Sequence, residues 1–69
     1  KAKKTDYAIE VLKLNAETYP QSIFAFMALG DVYAFKGDKL LARQSYEKAL
    51  ALNPQNADAQ DKLKTVAQN

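Results

Sequence analysis

The chain contains no cysteine, no histidine and no tryptophan. Without cysteine there is neither a disulfide staple nor a thiolate metal site. Without histidine the commonest metal ligand and the commonest general base are both missing. No apolar run approaches the ~20 residues that a membrane-spanning helix needs, and no signal peptide or lipidation motif is visible. No stretch alternates polar and apolar residues long enough to make a strand, so the expected class is all-α. Neither sign of charge dominates: 10 Lys and Arg against 8 Asp and Glu leave +2. Proteins that bind nucleic acid gather cations into a patch or stripe. The one cluster here, Lys1 to Lys4, reads as a solvated chain end. Neither nucleic acid nor a membrane is an expected partner.

What is present is a short, punctuated helical pattern. The 69 residues make one small domain at most. The chain opens on Lys1 rather than Met, which points to a piece of a longer protein, with residues 1–4 as a disordered end or an artificial junction. A first helix is expected over Asp6 to Thr18, with Thr5 or Asp6 as N-cap. Ala8, Ile9, Val11, Leu12 and Ala16 give it an apolar face at helical spacing. Tyr19-Pro20 stops it, because the residue before proline avoids the α region. Ser22 caps a second helix, Ile23 to Lys36, and Gly37 ends it as a residue free to take positive φ. Asp38 caps a third, Lys39 to Leu52, so Gly37-Asp38 is the whole linker of a tight antiparallel hairpin. Asn53-Pro54 stops the third helix. Asn56 caps a fourth, Ala57 to Ala67, with Asp58 favourable in its first turn.

The pattern repeats. Shifted by about 34 positions, Ala8 falls on Ala42, Leu12 on Tyr46, Pro20 on Pro54 and Gln21 on Gln55. Ser22 falls on Asn56, both caps, and Ala25, Leu29 and Val32 fall on Ala59, Leu63 and Val66. Stops, caps and core positions therefore share one offset. Within Ile23 to Asn56 the run Phe26, Leu29, Gly30, Tyr33, Gly37, Ala42, Tyr46, Ala49, Pro54 resembles the signature of the tetratricopeptide repeat family, with Phe for the usual Trp and Tyr for the usual Phe. The resemblance implies a helix-turn-helix solenoid fragment of four antiparallel helices. Residues 5–22 would be a half-repeat with a B-type (second) helix, 23–56 a complete repeat, and 57–69 an A-type (first) or capping helix. The first helix departs from the pattern at Asn15. The fourth carries Gln60, Lys64 and Ala67 where an aromatic, a glycine and a tyrosine are usual, which suits a polar end-cap. Gly30 is expected to let the third helix approach closely near Ala42. About three repeats are normally needed for stability, so marginal stability is expected.

The run from Leu14 to Leu63 also resembles a short repeat segment found at the C-terminus of some bacterial serine hydrolases, beta-lactamase-like or esterase-like, notably at Leu14-Asn15 and Tyr19-Pro20. That resemblance implies an appendage whose catalytic domain lies upstream of Lys1.

Catalysis finds little to work with. No histidine can activate a hydroxyl, and Ser22 reads as a cap. Ser45 with Lys48, at i,i+3, reads as exposed helix surface. Asp38 and Asp58 read as helix-end residues, Asp61 as a solvated charge, and Arg43 with Glu47 as a surface i,i+4 pair. No glycine-rich phosphate loop occurs. No catalytic residue, cofactor or metal site is expected, and nothing fixes a cellular compartment. Tyr7 and Tyr19 are expected to pack against the hairpin.

In tetratricopeptide arrays the first helices of each pair line a concave groove. Carried onto this chain, that face holds Phe24, Met27, Asp31, Ala34 and Phe35, with Phe26, Leu29, Gly30 and Tyr33 on the packing side. A helix apolar nearly all round is covered on both sides. Three occupants are open: neighbouring helices, the parent chain's own catalytic domain, or an apolar partner, whether protein, peptide or a second copy as a homodimer. The Lys and Asn of the carboxylate clamp known in chaperone-binding members are missing from this face. The expected function is a non-catalytic protein–protein interaction or scaffolding module.

Overall fold

The computed structural model describes residues 2–67. Four helices follow in order: α1 (Ala2–Thr18), α2 (Ile23–Lys36), α3 (Lys39–Leu52) and α4 (Ala57–Ala67). The last three have the boundaries that the caps and stops predict. The Ser22 Oγ accepts from the Ala25 amide at 3.3 Å. The Asp38 Oδ1 accepts from the Leu41 amide at 3.3 Å. The Asn56 Oδ1 accepts from the Ala59 amide at 3.0 Å. Each side chain satisfies an amide that the helix itself leaves without a partner. Gly37, at φ 95°, closes α2 in a Schellman turn: its own amide donates to Ala34 and that of Asp38 to the Tyr33 carbonyl. Asn53 ends α3 in an extended conformation, φ −147°, as the residue before Pro54 must.

The first helix departs from expectation. It begins at Ala2, four residues before Asp6, so Thr5 and Asp6 lie inside it. Residues 2–4 are therefore helical rather than a disordered end; Lys1 lies outside the described residues, as do positions 68 and 69 of the expected capping segment. Ala and Lys propagate a helix well, and Asp6 pairs instead with Lys36 of α2 at 2.9 Å.

Consecutive helices pack on one another, α2 most closely on α3. The molecule measures 33 × 30 × 14 Å. Among the described residues the molecule encloses no large side chain completely. Its core is accordingly made of small residues. Ala42, Ala49 and Ala59 are fully buried, and Tyr46 is 2 % exposed. On the other side of α2, Ile9 and Ala16 of α1 meet Ala25 and Leu29, with Leu12, Phe26, Val32 and Tyr33 packed against them. The 34-residue repeat is visible here, since Ala25 and Ala59 are both buried one turn after their caps.

Gly30 is buried, and its close neighbour is the Tyr46 ring, not Ala42 as expected. A Cβ on Gly30 would stand 2.7 Å from Cδ1 and 2.8 Å from Cζ of Tyr46, and closer still to Cε1. The helix accepts glycine because the ring lies flat across the position where a side chain would be.

Three other expectations are corrected. Tyr7 and Tyr19 are exposed, not packed on the hairpin. Val11 belongs to the outer side of α1 rather than its core face. Ser45 is buried rather than on the surface, and its hydroxyl donates to the Leu41 carbonyl at 3.0 Å. Among the four helices α1 packs chiefly on α2, so part of its apolar surface has no neighbour.

Candidate functional site

α2 carries the site. Phe24, Ala28, Asp31 and Phe35 recur at i, i+4, i+7 and i+11, one stripe along the helix. Phe24 is 85 % and Phe35 83 % exposed. Eleven residues at 1.5 Å rise place these two rings' attachment points about 16 Å apart. Met27 and Ala28 between them are half-buried, and Ala34 is exposed.

The first turns of α4 form the opposite wall. Between the two helices lies an open groove of about 400 Å³, with Phe24, Met27 and Ala28 on one side and Asn56, Asp58 and Lys62 on the other. Asp31 stands at the junction. Its Oδ1 accepts from the Tyr46 hydroxyl at 2.6 Å and from the Lys62 ammonium at 2.9 Å. One carboxylate oxygen thereby ties α2 to α3 and α4. Asp31 lines this groove but is already engaged within the chain.

Electrostatics follow from that arrangement. Burial, reinforced by the hydrogen bond to Asp31 and by the charges of Asp31 and Asp58, raises the Tyr46 hydroxyl well above the ordinary tyrosine range. The hydrogen bond to Asp31 raises Lys62, with burial opposing it. The tyrosine is held neutral and the lysine charged, so neither is matched to proton exchange near neutral pH. Two carboxylates and one ammonium leave the groove with one net negative charge, its free carboxylate being Asp58. Among the described residues no group of three or more His, Cys, Asp or Glu could hold a metal ion. Among the described residues no helix is long and apolar enough to cross a membrane.

The remaining signature residues build the support. Leu29, Gly30, Ala42, Tyr46 and Ala49 are buried, and Phe26 and Tyr33 half-buried. Gly37 turns the hairpin, and Pro54 lies in the exposed turn after α3. Sequence reasoning missed the Tyr46–Asp31–Lys62 link. Its signal was available in part: a buried tyrosine hydroxyl requires a partner, and at the 34-residue offset Lys62 takes on α4 the place that Ala28, one turn before Asp31, has on α2.

Residues 25–56 match the family model of the tetratricopeptide repeat. Such repeats generally mediate protein–protein interactions. A comparison with curated proteins finds no match, and the likeness to hydrolase segments stays with the sequence alone.

Proposed function

We propose that this chain is a non-catalytic interaction module that seats an apolar segment of another protein, or of its own parent chain, along the α2 stripe. Phe24 and Phe35 are the anchors, and Met27 adapts the floor between them. The observation that carries this reading is the pairing of two strongly exposed phenylalanines on one stripe. Single exposed apolar residues are ordinary, whereas two large rings exposed on one face of a helix, beside a polar rim, support an interaction surface. An extended segment rises about 3.3 Å per residue and turns alternate side chains to one face, so its two apolar anchors would be about four or six residues apart. The unpaired charge of Asp58 favours a Lys or Arg between them. The reading as a hydrolase appendage rests on sequence resemblance, and the residues encoded upstream of Lys1 test it: a Ser-x-x-Lys or Gly-x-Ser-x-Gly motif supports it, further repeats of the same period oppose it.

Selection of displayed peptides on the 69-residue chain tests the groove. The expected winners carry two apolar anchors at that spacing with a basic residue between. Their binding falls about tenfold or more in Phe24→Glu or Phe35→Glu. Winners indifferent to both substitutions would contradict the proposal.

A further inference from the structure

The two outermost helices leave faces of reciprocal shape uncovered. α1 turns Tyr7, Val11 and Leu14 to solvent, one stripe at i, i+4 and i+7. The internal repeat identifies what covers such a stripe. At the 34-residue offset Tyr7, Val11 and Leu14 correspond to Leu41, Ser45 and Lys48 of α3. Those residues share one shallow groove with Phe26, Leu29 and Tyr33 of α2. The α1 stripe is therefore the seat of a helix placed as α2 is on α3.

α4 is a helix of that type. The same offset carries Phe26, Leu29, Gly30 and Tyr33 onto Gln60, Leu63, Lys64 and Ala67. Gln60, Lys64 and Ala67 are exposed and Leu63 is half-buried. The sizes on the two faces are exchanged relative to the pair inside the molecule. Gly30 lies against Tyr46, small against large; the corresponding pair is Lys64 and Leu12, and leucine lacks the outer ring atoms that crowd Gly30. Tyr33 shares its groove with Leu41 and Ser45; the corresponding set is Ala67 with Tyr7 and Val11, the small residue now on the α4 side. Charge also matches. Glu10, Lys13 and Glu17 border the α1 stripe, one net negative charge, and the α4 face carries Lys64 and no carboxylate among its four positions.

We propose that copies of this chain associate head to tail, α4 of one seated on α1 of the next, to complete a helix pair like α2–α3 across the junction. A second copy is the occupant because its α4 face carries both the reciprocal sizes and the opposite charge. The contact joins two different faces, so it extends into open assemblies rather than stopping at a symmetric pair. It uses neither Phe24 nor Phe35, and it stands or falls independently of peptide binding.

The absence of native cysteine makes thiol trapping clean. Val11→Cys and Ala67→Cys, both at exposed positions, are combined in the full chain and oxidised. The expected result is a ladder of dimers, trimers and higher species on a non-reducing denaturing gel, with neither single variant passing dimer. Leu12→Cys with Lys64→Cys gives a second trap at the junction's centre, its helicity checked by circular dichroism. In sedimentation, the weight-average mass of the unmodified chain rises roughly twofold or more from micromolar to near-millimolar concentration. No ladder from either pair, or a constant monomer mass, would overturn the proposal. So would a dimer plateau abolished by Phe24→Glu, which would place association on α2 instead.

Discussion

The two long faces of α2 are both rich in apolar residues, yet they end in opposite surroundings. One presses Leu29 and Gly30 against neighbouring helices, with the Tyr46 ring lying across Gly30. The other leaves Phe24 and Phe35 in solvent and spends its single charge, Asp31, on Tyr46 and Lys62. The difference teaches that apolar content alone does not separate a packing face from an open one in so small a helical array. Size does. The packing face carries a glycine where contact is closest, and the open face carries its largest rings where nothing meets them.

The sharpest way to break this division is to enlarge the packing face. Gly30→Leu drives a side chain into a ring that is buried and held at its hydroxyl, and overpacking of that kind costs about 3 kcal/mol. A domain of 69 residues has roughly 3–10 kcal/mol in total, so thermal melting is expected to show a largely unfolded chain; an unchanged melt would refute the placement of Tyr46 over Gly30. Tyr46→Phe keeps the ring and removes the bond to Asp31. We expect a loss of about 1 kcal/mol in urea unfolding. The same variant tests the alkaline limb. The folded-state pKa values of Tyr46 and Lys62 are raised, so both favour folding fully below their ordinary range and lose that contribution as pH rises beyond it. The melting temperature should hold from pH 7 to about pH 9 and fall above about pH 10, less steeply in Tyr46→Phe; equal slopes would remove the hydroxyl from the account. Lys62→Met breaks a half-exposed pair and should cost no more than about 0.5 kcal/mol. The smallest effect on stability is expected on the open face, where Phe24→Glu and Phe35→Glu should each stay within about 0.5 kcal/mol.

The elements from Ser22 onward were legible because their ends are written in single residues. Ser22, Gly37, Asp38, Asn53-Pro54 and Asn56 each do one local job, and the structure uses each for it. The start of α1 was not legible, since Thr5 and Asp6 are acceptable caps and acceptable interior residues; inside the helix Asp6 pairs with Lys36, 30 positions away. Ser45 was misread for a similar reason. A helical serine can bond back to the carbonyl four residues earlier, and burial then depends on which helix lies alongside. The stripe of Phe24, Met27, Asp31 and Phe35 came from the family resemblance together with helical spacing, but not the hold of Lys62 on Asp31, which required the approach of α4.

The division between building and recognition is tested most directly by one double variant, Phe24→Glu with Phe35→Glu, measured for melting temperature and for binding of a peptide selected on the parent chain. The account predicts an unshifted melt together with the loss of binding. A chain that unfolds, or one that still binds, would contradict it.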